Sequence, residues 1–166
     1  MARLVLVGLP GVGKTTVAQA LAQRWRCDAL DTDDVLAAAV AMPAAQYLRE
    51  FGEPHFRERE LEALYSALEK DAIVATGAGI VTSDRARALI VREFAVWLDV
   101  DDDTLLDRVA LGERPLLGDD HAEAITRLRR EREEWYRECA RVRIDAAGSL
   151  DGVLERIVEA TREVTS

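Results

Sequence analysis

Gly8-Leu9-Pro10-Gly11-Val12-Gly13-Lys14-Thr15 has the form Gly-x4-Gly-Lys-[Ser/Thr], and its reading decides the fold. The apolar run Leu4–Val7 precedes it and reads as a short buried strand. A helix over about Lys14–Trp25 follows it. Strand, glycine loop and helix in that order make a phosphate cradle. The glycines let backbone N–H groups converge on phosphate oxygens. The helix turns its N-terminus toward the anion. Lys14 reaches the β- and γ-phosphates, and the Thr15 hydroxyl is placed for Mg²⁺. Gly8, Gly11, Val12, Gly13, Lys14, Thr15 and Thr16 are therefore the expected nucleotide site, with ATP and Mg²⁺ as its occupants.

Outward from this loop, apolar runs alternate with helical patterns. Ala29–Leu30 leads into the acidic stretch Asp31-Thr32-Asp33-Asp34. Further strand runs are Ala72–Ala75, Phe94–Leu98 and Val142–Ile144. Helical pattern covers 35–68 in pieces, broken at Pro43 and Gly52, and resumes from about Asp102. Ser149 can cap a last helix with Leu150, Val153, Leu154, Ile157 and Val158 on one face. Strands alternating with helices predict an α/β fold, a parallel sheet with helices on both faces. Residues 110–121 hold Gly112, Pro115 and Gly118 with little periodicity. They predict a loop, and a loop of this length in a small domain suits a mobile lid.

The chain has 166 residues, the length of one domain. No stretch of about 18 uncharged apolar residues is present, so no spanning helix is expected. With 22 basic against 31 acidic residues the net charge is −9, which disfavours nucleic acid and anionic membranes as partners. All basic residues but Lys14 and Lys70 are arginines, side chains suited to bidentate capture of carboxylate and phosphate. Cys27 and Cys139 do not make a disulfide framework, and two reduced thiols in a cytoplasmic monomer are expected. No Asn-Lys-x-Asp guanine motif occurs, and the chain is short for a motor ATPase. A small kinase of metabolites fits the length.

A further series of motifs follows in order. Leu30-Asp31-Thr32-Asp33 comes first, then Gly52-Glu53 with Phe56-Arg57 and Glu60. Gly77-Ala78-Gly79 with Val81-Thr82-Ser83 is next, then Arg114-Pro115-Leu116-Leu117, then Tyr136-Arg137 and Arg143-x-Asp145. The series resembles the shikimate kinase family over nearly the whole chain. The resemblance implies a P-loop, nucleoside-monophosphate-kinase-like fold with a five-stranded parallel sheet. It implies transfer of the ATP γ-phosphate to the 3-hydroxyl of shikimate, an acceptor bearing a carboxylate and hydroxyls, within residues 32–61 and the loop 77–79. By the same resemblance, Asp31 helps Thr15 hold Mg²⁺, and Asp33 bonds the substrate hydroxyls and accepts the proton. Arg57 and Arg137 grip the carboxylate. Arg114 swings over the transferring phosphate, and Arg108 stacks on adenine. Glu60 orients Arg57, and Phe56 and Leu116 wall the pocket.

Each of these residues also has a plainer reading. Asp31 and Asp33 would cap the next helix equally well, and an arginine is most often a solvated surface group. Asp99, at the end of Ala95-Val96-Trp97-Leu98, imitates a Walker B acid, but no metal role is expected for it. Asp101-Asp102-Asp103 suits a helix N-terminus. His55 and His121 make no metal spacing, and Trp25, Trp97 and Trp135 are expected to pack.

The family pattern is not kept everywhere. Ala78 stands where the family has a middle glycine; at positive φ it would cost ~1–2 kcal/mol. Ala37 replaces a common acid, and Ala41-Met42-Pro43-Ala44 replaces a Gly-x-Ser-Ile segment. Smaller residues there would widen the acceptor pocket. Two other readings therefore stay open: a related kinase of another hydroxy acid or cyclitol, and a nucleotide-binding paralogue with little turnover.

Overall fold

In a computed structural model that describes residues 1–110 and 120–165, the apolar runs become a sheet. The strands are β1 (Leu4–Val7), β2 (Asp28–Asp31), β3 (Ala72–Ala75), β4 (Ala95–Asp99) and β5 (Val142–Asp145). All pair parallel, in the order β2-β3-β1-β4-β5. Every residue of β1, β3 and β4 is buried, as strands covered on both faces must be. On one face α1 (Lys14–Trp25) packs against β2, β3 and α7 (Leu150–Thr165). On the other, α3 (Ala44–Leu68) and α6 (His121–Cys139) cover β3 and β4, with α4 (Asp84–Ile90) between them. Helix α5 (Asp102–Ala110) lies along α6.

The helix boundaries follow from local chemistry. Asp101 caps α5, accepting from the Thr104 N–H and hydroxyl at 2.8 and 2.9 Å. Ser149 caps α7 through the Gly152 N–H at 3.1 Å, and Val153, Leu154, Ile157 and Val158 are buried while Leu150 is exposed. Helix α2 (Thr32–Val40) starts earlier than its apolar pattern suggests, because Asp31 accepts the Asp33 N–H and serves as its cap. The predicted breaks at Pro43 and Gly52 are both present. Pro43 opens α3 in an extended conformation, and Gly52 (φ 82°, ψ 168°) kinks it.

This topology sets the site. β1 is central, and the chain leaves it for β2 on one side and later returns past it to β4. Open parallel sheets bind ligands at the carboxyl ends of their strands near such a reversal. The loops after β1, β2 and β3 all open there. The main core surrounds the sheet, while a separate cluster of Leu36, Tyr47, Phe56 and Ala63 joins α2 to α3. The predicted lid falls between α5 and α6. Its residues 111–119, Arg114 and Leu116 among them, lie outside the described residues.

Candidate active site

Residues of the loop after β1, the start of α1, the β2–α2 junction, α3 from its first turn to Glu60, the loop after β3 and α6 line one cleft of about 350 Å³. Gly13, the residue before α1, has φ 103°, a conformation that only glycine adopts without strain. The turn it permits aims the first N–H groups of α1 outward. Lys14 folds back over the loop, its ammonium donating to Gly8 O at 2.7 Å and Leu9 O at 3.0 Å. Gly8 and Gly11 also have positive φ, Val12 is buried and Thr16 is exposed. Arg108 reaches from α5 to the back of this loop, donating to Val12 O at 3.0 Å and Ala146 O at 2.7 Å. It thereby joins the phosphate loop to the loop after β5, on the side away from α2 and α3.

Asp31 caps α2, and its second oxygen is turned to the phosphate loop, where it accepts from the Thr15 hydroxyl at 2.5 Å. A hydroxyl and a carboxylate oxygen therefore face each other beside the phosphate loop.

The loop Gly77-Ala78-Gly79 fits tightly against α2 and α3. The Gly77 N–H donates to the Thr32 hydroxyl at 2.9 Å, and Thr32 is fully buried. A Cβ on Gly77 would lie 2.8 Å from Glu60 Oε1 and 3.0 Å from Asp33 Oδ1. A Cβ on Gly79 would lie 2.6 and 2.7 Å from the terminal nitrogens of Arg57. A side chain at either position would have to displace these cleft groups. Ala78 is not at positive φ, so the strain that the sequence raised for alanine there is absent. Its carbonyl accepts from the Tyr136 hydroxyl at 2.7 Å.

Arg57 is fixed by Glu60 (Nη1 to Oε2, 2.7 Å) and Glu53 (3.3 Å) and lies over the Phe56 ring. Glu60 is only 2% exposed. Burial pushes its carboxyl above the usual carboxylate range, against the opposing pull of Arg57 and Arg132. The Nε–H of Arg57 is buried without a partner among the described residues, and so is that of Arg132. Both side chains line the cleft. Buried donors left without acceptors are uncommon in folded proteins, and these two give the cleft a pair of cationic donors that could hold an anion.

The placement of Arg137 corrects the sequence reading. It is 57% exposed, pairs with Glu133 and Glu134 on its own helix, and does not line the cleft. The arginine that α6 delivers to the cleft is Arg132, one turn before the buried Tyr136. The signal for it was the spacing Leu128–Arg132–Tyr136, and Thr32 was hidden between two acids. Asp99 is 3% exposed and bound by Arg129 and Arg143, so it does not face the phosphate loop as a ligand. No group of three or more His, Cys, Asp or Glu that could hold a metal occurs among the described residues, and Cys27 and Cys139 are free thiols. No helix there is long and apolar enough to cross a membrane.

The family model for shikimate kinase matches residues 10–162. A shikimate kinase of Novosphingobium aromaticivorans is 40% identical over 141 residues, covering 80% of this chain and 73% of its own. One from Enterococcus faecalis is 30% identical over 168 residues, covering 98% and 100%. Among solved structures, the shikimate kinase from Acinetobacter baumannii in complex with shikimate superposes with a TM-score of 0.90 at 28% identity, covering 96% of this chain and 92% of that one. A gluconokinase from Sinorhizobium meliloti shares the fold alone, with a TM-score of 0.66 at 12% identity, covering 98% of this chain and 93% of its own.

Proposed function

The chain belongs to the shikimate kinase family, and from that premise we propose that its cleft passes the γ-phosphate of ATP to the 3-hydroxyl of shikimate. The observation that carries this reading is the pair of guanidinium N–H groups of Arg57 and Arg132, without a partner among the described residues, in the same cleft as a phosphate loop. A phosphate donor and a carboxylate-bearing acceptor would fill both halves.

Phosphoryl transfer needs positioning and charge neutralisation more than covalent help from the protein. The N–H groups at the start of α1 and the Lys14 ammonium bind the β- and γ-phosphates, Lys14 exchanging a loop carbonyl for a phosphate oxygen. Thr15 and Asp31 offer one hydroxyl and one carboxylate, a donor set that fits Mg²⁺, which takes few protein ligands beside the phosphates. Bound there, Mg²⁺ neutralises charge on the phosphate oxygens. Arg57 and Arg132 take the acceptor carboxylate, and Glu60 holds Arg57 in place. Asp33, beside Gly77, accepts the hydrogen bond of the reacting hydroxyl and receives its proton as the phosphoryl group arrives. Arg114 is assigned to the transferring phosphate by its place in Arg-Pro-Leu-Leu, and Arg108 to the base side. One chain supplies these groups, and we propose a cytoplasmic monomer that acts without nucleic acid.

The test is ADP release measured against shikimate, quinate, gluconate and a set of cyclitols. Shikimate is expected to give the highest kcat/KM. A wild type that favours another acceptor refutes the assignment, and one inert with every acceptor points to a nucleotide-binding paralogue.

A further inference from the structure

At the carboxyl end of β4 the buried Asp99 divides its two oxygens between two arginines. Oδ1 accepts from Arg129 Nη1 at 2.9 Å; Oδ2 accepts from Arg143 Nε and Nη2 at 2.9 and 2.6 Å. The remaining nitrogens of Arg129 reach the same corner. Nε donates to Asp102 Oδ1 at 2.5 Å, and Nη2 to Val100 O at 2.6 Å. One guanidinium is thus held at three points, by the end of β4, the next residue and the first turn of α5. A planar fork held so cannot rotate, and it ties α6, which carries it, to the end of β4 and the start of α5.

Stability alone is a poor reason for this network. A buried carboxylate is costly to desolvate, and buried ion pairs often contribute little net stability. Helix α6 already has its own cap, Asp120, which accepts the Glu123 N–H at 3.0 Å. Arg132, however, lies three residues beyond Arg129, on the same side of the helix. A further turn on, the Tyr136 hydroxyl holds Ala78 O at 2.7 Å. The same side of α6 therefore carries an anchor to the sheet, an arginine in the cleft and a hold on the loop after β3.

We propose that Asp99 and Arg129 are positioning residues for the acceptor: they set the height and rotation of α6 at which Arg132 meets the shikimate carboxylate. The inference rests on the functional reading above. Neither residue touches substrate; both act through Arg132. Steady-state kinetics of Arg129→Met, Arg132→Ala and the double variant test it. Misplacing a binding group by a fraction of an ångström is expected to raise the shikimate KM about tenfold. The KM for ATP should stay within about twofold. In the Arg132→Ala background, Arg129→Met should add almost nothing, because contacting groups in one chain of action are not additive. The same proportional loss in both backgrounds overturns the proposal. A parallel fall in kcat and both KM terms, or no change at all, does so too. If Arg129→Met does not fold, Arg129→Lys, which keeps the charge but loses the planar fork held at three points, enters the same cycle. There a rise in shikimate KM that vanishes without Arg132 supports the proposal, and its absence overturns it. A wild type inert with shikimate overturns the functional reading and this inference together. An active wild type with an indifferent Arg129→Met overturns this inference alone.

Discussion

Truncating Arg132 to alanine removes a guanidinium whose Nε–H is buried in the cleft with no partner among the described residues, while truncating Arg137 removes one that is half exposed and paired on its own helix. The two substitutions delete the same charge from the same helix, so any general electrostatic effect is shared. The local effects differ. A hydrogen bond to a charged group contributes ~1.5–3 kcal/mol, which at ~1.4 kcal/mol per decade is roughly a tenfold to hundredfold rise in the shikimate KM for Arg132→Ala. The pairs of Arg137 with Glu133 and Glu134 lie within one exposed helix face, where such pairs contribute ~0.3–0.5 kcal/mol to stability. Arg137→Ala should therefore leave the shikimate KM within about twofold of wild type on that scale. Initial rates of ADP release at saturating ATP, with shikimate varied, measure both, and circular dichroism melts verify that each variant folds. An Arg137→Ala effect equal to or larger than that of Arg132→Ala would refute the reasoning and restore Arg137 to the clamp.

Lys14→Met keeps the reach of the side chain but removes the ammonium from the phosphates, and turnover should fall by ~10²–10³, the usual scale for one preorganised electrostatic contact; unchanged turnover would sink the phosphate-loop assignment. Gly79→Ala would drive a methyl group to 2.6 Å from Arg57 and should raise the shikimate KM. Ala78→Gly relieves no strain and should only lower stability, by ~0.5–1 kcal/mol of chain entropy, so improved shikimate use in that variant would contradict the backbone described above. Burial pushes the Cys139 thiol from about 9 up to about 11. Between those values the unfolded thiol loses its proton and the folded one keeps it, so folding stability present below pH 9 declines as pH rises, by at most about 3 kcal/mol near pH 11. Urea melts of wild type and Cys139→Ala across this range should converge as pH increases; parallel curves would argue against a protonated buried thiol.

The fold was legible because its signals are local. The glycines and Lys14 announce a phosphate loop whatever surrounds them, and four-residue apolar runs between glycines and acids have few readings other than buried parallel strands. Capping chemistry was legible only in part. Asp31 was recognisable as a site residue, yet the same carboxylate also starts α2, and one letter in a sequence does not disclose that each oxygen has its own task. The role of Ala78 was hidden for a related reason. A glycine-rich stretch suggests positive φ, but at 77 and 79 the constraint is the nearness of Glu60, Asp33 and Arg57, side chains that the fold brings from α2 and α3.

Arg132 was missed because phase is harder to read than composition. Residues 127–137 contain five arginines, and tyrosine followed by arginine at 136–137 draws the eye to one that lies outside the cleft lining. On a helix, neighbours in sequence point about 100° apart, so Arg137 leaves the face that Tyr136 buries. Residues four apart share a face, and Leu128, Arg132 and Tyr136 form such a line. Two of its members are apolar or aromatic and one is charged, an arrangement that places a cation at the edge of a core. An arginine there is either an error of packing or a ligand-binding group. Its place in the cleft lining with Arg57, and an Nε–H that no described residue accepts from, favour the second.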